Sequence, residues 1–246
     1  MPCYNEEKVA GRTIGRLVEA FRTSDHRLEI VAVDNGSDDD TLEVLRGCAE
    51  GRPEVRVARV EENRGYGFGV LTGLPLCRAP WAGIIPADGE VDPEDVVRLY
   101  EEALATDGQV IAKVRRRFRL DGMRRKAISV AYNLFFRLLW PGVGSLDVNG
   151  SPKIARREKL EAMRLHSEGW LLDPEIMVKA HRMGLRVLEL NVFARLRGRG
   201  ESHVRFSAVW DFVRALLAFR FLPERALWRD APSDGSEGTP RTRSAS

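Results

Sequence analysis

Asp88 and Glu90 stand one residue apart behind the apolar run Trp81 to Ile85, in the segment Pro86-Ala87-Asp88-Gly89-Glu90. Carboxylates so spaced at a strand end can present hard oxygens to Mg²⁺ or Mn²⁺, which would bridge to a diphosphate. Taken alone, the segment is also an ordinary turn. A second acidic turn, Asp34-Asn35-Gly36-Ser37-Asp38-Asp39-Asp40-Thr41, follows the apolar run Leu28 to Val33. Asp34 can accept the imide N–H of uracil or guanine there, whereas Asp39 and Asp40 are placed to cap the next helix. Nearer the start, Pro2-Cys3-Tyr4-Asn5-Glu6-Glu7 opens a helix. Tyr4 can stack on a base, and Asn5 with the first helical amides can meet polar or anionic groups. The plainer reading of that segment is a helix cap. Asn63-Arg64-Gly65-Tyr66-Gly67, with Gly69 and Gly73 beyond, lets backbone approach a ligand closely, but a lone glycine-rich stretch carries little weight.

These clusters need elements to hold them. Helical spacing of Val9, Ile14, Leu17, Val18 and Phe21 predicts a helix from Glu7 to Phe21, after a loop at Met1 to Glu7. Strands are expected at Leu28 to Val33, Val55 to Val60, Trp81 to Ile85, Val110 to Val114, near Lys153 to Ala155, and at Arg186 to Asn191. Between them fall helices at Thr41 to Cys48, Tyr66 to Leu76, Glu94 to Thr106 (opened by Pro93), Ala127 to Trp140, Arg157 to Met163 and Pro174 to Met183. Such alternation predicts an α/β fold, a mostly parallel sheet with helices on both faces. Polar residues gather beyond the C-terminal strand ends, where open α/β sheets bind ligands. Residues 1–205 read as one unit, 206–230 as an apolar helical segment and 231–246 as a Ser/Gly/Pro-rich, disordered tail.

Composition narrows the class. The 246 residues are 43% hydrophobic and 30% charged, enough for a core in a soluble chain, and the net charge is only +3. Cys3, Cys48 and Cys77 form no metal or disulfide spacing, which suits a reducing cytoplasm. The first twenty residues lack a signal-peptide pattern. The longest apolar stretch, Ile128 to Trp140, is interrupted by Asn133 and Arg137 and falls short of the roughly 20 residues a membrane span needs. The expectation is a cytoplasmic protein, peripheral on the inner face of a membrane.

The four clusters, in this order, resemble the family 2 glycosyltransferases of GT-A (Rossmann-like) fold, and within them the dolichyl-phosphate mannose synthase-like, polyprenyl-phosphate branch. The matching segments are Pro2 to Glu6, Asp34 to Thr41, Asn63 to Gly65 and Pro86 to Glu90. The resemblance continues to about His203 through Asp147-Val148-Asn149-Gly150-Ser151-Pro152-Lys153, Asp173-Pro174-Glu175 and Arg197-Gly198-Arg199-Gly200-Glu201-Ser202. Two departures stand out: Pro86 replaces the first aspartate of the metal motif, and the apolar first strand of the family reads as missing.

The resemblance implies an inverting, metal-dependent transferase that uses Mg²⁺ or Mn²⁺ at Asp88 and Glu90. Pro2, Tyr4, Asn5, Glu6, Asp34, Asn63 and Gly65 would bind the nucleotide of a GDP-mannose or UDP-glucose type donor. Asp88 and Asp173 are the catalytic candidates, with Asp173 or Glu175 a base only if the acceptor is a hydroxyl. A phosphate acceptor is largely ionised at pH 7, so it needs cations and orientation more than a base. Lys113, Arg115, Arg116, Arg117, Arg119, Arg124, Arg125 and Lys126 supply cations around the single acid Asp121, next to the apolar helix. Arg116, Arg119, Lys153, Arg197 and Ser202 are therefore expected to bind the phosphate of a polyprenyl acceptor. A solvated basic face or a nucleic-acid site is the alternative reading of that run; adjacency to the apolar helix argues for a lipid phosphate and no nucleic acid. Aromatic and basic residues in Phe206 to Phe221 suit a membrane interface, and packing on the catalytic unit suits them equally. Two other functions compete: transfer to a saccharide or small-molecule hydroxyl, and a catalytically dead nucleotide-binding or interaction module.

Overall fold

A computed structural model describes residues 1–118, 123–193 and 206–221, and within these the side chains other than those of 117, 118, 123–128 and 206–212. Arg119, Arg197 and Ser202 thus lie outside the described residues, as does the segment from 222 onward.

Two sheets carry the fold. In the first, β1 (Pro2–Cys3), β2 (Ile30–Asn35) and β3 (Val55–Val60) lie side by side and all run parallel. All six residues of β2 are buried, which is why Ile30 to Val33 read as an unbroken apolar run rather than an alternating one. The second sheet orders β4 (Trp81–Ile84), β6 (Lys153–Arg156), β5 (Val110–Phe118) and β7 (Arg186–Phe193). There β5 and β7 are parallel, and β6 runs antiparallel to both β4 and β5. The parallel reading holds except at β6.

The expected loop at Met1 to Glu7 is corrected at its beginning, where Pro2–Cys3 forms a strand with Cys3 opposite Asp34. Val33 N–H donates to the Met1 carbonyl at 2.9 Å. Two residues are too few to leave a period in the sequence.

Helices α1 (Ala10–Thr23), α2 (Thr41–Ala49) and α4 (Pro93–Leu104) cover one side; α1 buries Ala10, Thr13, Ile14, Leu17, Ala20 and Phe21 at helical spacing. They share a core with Ile30 and Ala32 of β2 and with Val110, Ala112 and Val114 of β5. A second core gathers Val70 of α3 (Tyr66–Gly73), Phe136 of α5 (Met123–Leu139), Leu160 of α6 (Arg157–Ala162) and Ile176 and Met177 of α7 (Leu172–Arg182). It also takes Ile111 of β5 and Leu216 and Phe219 of α8 (Phe206–Phe221). Neighbouring residues of β5 therefore point into different cores, the period-two signature of a strand covered on both faces. α8 packs firmly: the Trp140 and Phe219 rings lie 5.6 Å apart, and Arg220 Nε donates to the Leu139 carbonyl at 3.0 Å. Between the two sheets lies an apolar cavity of about 440 Å³, lined by Ile30 and Val31 of β2, Trp81 and Ile84 of β4, and Leu17 and Phe21 of α1.

Candidate active site

Each acidic or glycine-rich turn sits just past a strand end. At the end of β2, Asp34 is fully buried; its Oδ1 accepts from Ser37 N–H at 3.2 Å and its Oδ2 lies 3.7 Å from Arg59 Nε. The first turn interlocks with it. Asn5, held at φ 52°, donates from its N–H to Ser37 Oγ at 3.1 Å and accepts from Asp38 N–H through Oδ1 at 2.9 Å. Glu6 N–H donates to Thr41 Oγ1 at 2.8 Å. Asn5 thus spends its carboxamide on the neighbouring turn, while Tyr4 stays exposed. Asp39 accepts from Thr41 N–H at 3.0 Å and from Glu7 N–H at 3.3 Å, and these hydrogen bonds hold its carboxyl below the usual range against the opposing effect of burial.

Asn63 and Gly65 have a similar internal role. Asn63 Oδ1 accepts from Gly65 N–H at 2.8 Å, and the Gly65 carbonyl accepts from Asn35 Nδ2 at 2.9 Å. Gly65 has φ 116°, and a Cβ there would lie 2.7 Å from the Glu168 carbonyl; at Gly67 it would lie 2.1 Å from that of Ser167. The glycines therefore admit the 166–169 backbone of this same chain. Glu175 anchors that segment, accepting from Ser167 N–H at 2.8 Å, from His166 N–H at 3.1 Å and from Lys179 Nζ at 2.6 Å. So occupied and fully buried, Glu175 serves the loop, which leaves Asp173 as the carboxylate facing the site.

After β4, the Pro86 to Glu90 turn is held by α1. Thr13 Oγ1 donates to the Ala87 carbonyl at 2.9 Å, and Gly89 takes φ 65°. Asp88 Oδ1 accepts from Glu90 N–H at 3.1 Å, and both carboxylates are half-buried. Among the described residues no group of three Asp, Glu, His or Cys side chains stands together as a metal cage. Two carboxylates nonetheless fit Mg²⁺ or Mn²⁺ that draws its remaining ligands from diphosphate and water.

The cations are arranged differently from the sequence expectation. β5 runs on to Phe118, and because both of its faces are covered, Lys113 and Arg116 are both shielded although they stand three residues apart. Lys113 is fully buried: Nζ donates to the Asp147 and Val114 carbonyls and lies 3.4 Å from Glu189 Oε1. Burial, reinforced by Lys153, lowers its pKa to about 8. Arg116 grips Asp147 with Nε at 3.0 Å and Nη2 at 3.1 Å, its Nη2 also donates to the Asn149 carbonyl at 3.0 Å, and its Nη1 stands 3.8 Å from Glu90. Although burial opposes ionisation, Arg116 holds the Asp147 carboxyl down at about 2. Lys153 is buried too, its Nζ paired with Asp173 and donating to the Gly150 carbonyl at 3.0 Å. Arg116 and Lys153 come together with the carboxylates but already serve Asp147 and Asp173. Sequence reasoning missed Asp147 as the fixture of Arg116, and it gave Asn35 and Tyr66, though they stand in its candidate segments, no role of their own. Three shielded oxygens among the described residues have no hydrogen-bond partner: Asp34 Oδ2, Asn35 Oδ1 and Tyr66 Oη.

Buried carboxylate at the end of β2, acidic turn at the end of β4, and a cation cluster from β5 and β6 together define the GT-A class of nucleotide-sugar transferase fold. The chain belongs to glycosyl transferase family 2, whose model matches residues 1–164. It is 29% identical over 206 residues to dolichyl-phosphate beta-glucosyltransferase ALG5A of Trichomonas vaginalis, covering 78% of this chain and 63% of that protein. It is 33% identical over 205 residues to undecaprenyl-phosphate 4-deoxy-4-formamido-L-arabinose transferase of Pseudomonas fluorescens, covering 82% and 58%. The chain thus spans about three fifths of the length of these relatives. Among solved structures, mannosyl-3-phosphoglycerate synthase of Rubrobacter xylanophilus superposes with a TM-score of 0.71 at 19% identity, covering 87% of this chain and 70% of that one. Glucosyl-3-phosphoglycerate synthase of Mycobacterium tuberculosis, in complex with Mn²⁺, UDP and glucosyl-3-phosphoglycerate, gives 0.68 at 21%, covering 89% and 77%.

Proposed function

We propose that this chain is the catalytic part of an inverting glycosyltransferase that moves a sugar from a nucleotide diphosphate, of GDP-mannose or UDP-glucose type, onto a polyprenyl phosphate. The observation that carries this reading is the juxtaposition of the Asp88/Glu90 turn with Arg116, Tyr66 and the Lys153–Asp173 pair. The kinship with dolichyl- and undecaprenyl-phosphate transferases supports the acceptor class.

Asp34 would receive the imide N–H of the base, with Tyr4 stacked on it and Pro2, Asn5, Glu6, Asn63 and Gly65 shaping the walls. Asp88 and Glu90 would hold Mg²⁺ or Mn²⁺, which stabilises negative charge on the departing diphosphate. In the reaction an acceptor phosphate oxygen bonds to the anomeric carbon as the bond from that carbon to the nucleoside diphosphate breaks, so the centre inverts. The acceptor oxygen is already ionised and gives up no proton. Asp173 is engaged in its ion pair with Lys153, and that engagement favours phosphate over a hydroxyl acceptor. Arg119, Arg197 and Ser202 stay proposed phosphate contacts beside Arg116 and Lys153.

On α5, Val130, Leu134 and Leu138 recur four residues apart and are all exposed, with Phe221 of α8 exposed as well. No helix among the described residues is long and apolar enough to cross a membrane. The stripe suits residence on the cytoplasmic membrane surface, where the lipid tail of an acceptor would lie. In domain terms, residues 1–205 would be catalytic, 206–230 interfacial and 231–246 a tail.

The test is Asp88→Asn. Mn²⁺ should tighten UDP or GDP binding by the parent chain and lose that effect in the variant, with turnover falling on the order of 100-fold or more. Metal-independent nucleotide binding in the parent chain would contradict the assignment.

A further inference from the structure

We infer that Tyr66 is a substrate-binding residue whose hydroxyl donates a hydrogen bond to a phosphate oxygen held between Asp88 and Asp173. This rests on the transferase reading above and adds to it a neutral donor that none of the charged residues supplies.

Tyr66 opens α3 immediately after Gly65, and its ring cannot drift. One face lies against Trp170, stacked at 5.5 Å with an interplanar angle of 8°. Each half of that stack is anchored separately. Asn35 Nδ2 holds the Gly65 carbonyl, and Phe68 N–H donates to the Glu168 carbonyl at 2.8 Å. Arg64 pairs with Glu168, and Glu175 grips the 166–167 backbone. A ring fixed in this way presents its hydroxyl at one place.

That place is chemically specific. The oxygen is shielded from solvent and makes no hydrogen bond; Ser151 lies beside it, outside hydrogen-bond geometry. The charges around it are Asp173, Asp88 and Arg116. A tyrosine hydroxyl holds its proton well above neutral pH and is a hydrogen-bond donor. It can therefore donate at every physiological pH. A shielded hydroxyl is stabilised by an acceptor, and the described residues place none within hydrogen-bond geometry of this one.

The surroundings favour phosphate as that acceptor. Asp173 is already neutralised by Lys153, Arg116 brings a guanidinium, and Asp88 belongs to the turn proposed to hold a divalent cation. An anion in this space meets balanced charge and one unused neutral donor. Donor diphosphate and acceptor phosphate share this chemistry, and kinetics separates them. Trp170 contributes by holding the ring and is a positioning residue.

The experiment compares the full-length chain with Tyr66→Phe, which keeps the ring and stack and removes only the oxygen. Three readouts are taken: thermal midpoint, Trp emission titrated with UDP or GDP in Mn²⁺ and with a short-chain polyprenyl phosphate, and steady-state turnover. The expected result is an unchanged midpoint with a roughly ten- to hundredfold loss in kcat/KM or in affinity for one phosphate ligand. Weaker nucleotide binding assigns the contact to the donor; a raised KM for the lipid phosphate alone assigns it to the acceptor. Equal affinities and equal turnover would overturn the inference, as would a fall in midpoint matching that of Trp170→Ala. If the parent chain turns over no donor, the transferase reading fails while the titrations still judge Tyr66. A parent chain that binds none of the probes overturns both.

Discussion

Replacing Asp147 by Asn removes one charge and almost no volume, and it isolates the ion pair on which the cation side of the site is built. Both partners are largely shielded, with side-chain exposures of 15% and 11%. A carboxyl at about 2 rather than its ordinary 3.8 contributes roughly 2–3 kcal/mol to folding at neutral pH. The substitution also leaves the Arg116 guanidinium without its bidentate partner, and breaking a buried pair costs about 3–5 kcal/mol. Glu90 at 3.8 Å and the Asn149 carbonyl remain to Arg116, so about 3 kcal/mol is expected. Urea unfolding at pH 7 measures it, in a cycle with Arg116→Met and the double variant. Because the folded pKa is depressed, the stabilisation is complete above about pH 4 and is lost as pH falls toward 2. Asp147→Asn should lack that acid-limb loss. A cost below 1 kcal/mol, or strictly additive single variants, would refute the argument that Asp147 fixes Arg116.

Two shorter predictions follow from packing. Gly67→Ala would set a Cβ 2.1 Å from the Ser167 carbonyl and should destabilise by at least about 2 kcal/mol, whereas Gly15→Ala, with open space in mid-helix, should stabilise by roughly 0.5–1 kcal/mol; thermal or urea unfolding of both decides. Replacing Leu134 and Leu138 together by Lys should lower partition onto zwitterionic vesicles on the order of 100-fold, from about 1.5 kcal/mol for each leucine side chain; unchanged flotation would sink the membrane role of α5.

Much of the frame was legible because burial writes periodicity into a chain. β3 and α8 fall where apolar spacing places them, and Pro93 opens α4 as its fixed φ dictates. The acidic turns were legible too, since polar residues directly after buried strands have few other places to go. What escaped was long-range pairing. The run Lys113 to Arg117 looks like a basic surface, yet Lys113 and Arg116 find Asp147 some thirty residues away and Glu189 farther still. Local pattern cannot show that β5 is covered on both faces, so that residues of either parity are taken inward. Asn5 and Asn63 had ligand-like chemistry but serve neighbouring turns, because a carboxamide near an exposed backbone amide is captured locally. Tyr66 stands in the glycine-rich segment, where the sequence signal lies in the backbone and glycines; only the folded arrangement of Trp170, Asp88 and Asp173 around its hydroxyl distinguishes it.

The central claim is tested most directly by nucleotide release from GDP-mannose and UDP-glucose, each with and without a polyprenyl phosphate, first in Mn²⁺ and then in EDTA. The account predicts release from one donor that requires both the lipid phosphate and the metal, with the sugar recovered on the lipid in inverted configuration. Release that proceeds equally in EDTA, or that needs a sugar hydroxyl in place of the lipid phosphate, would contradict it.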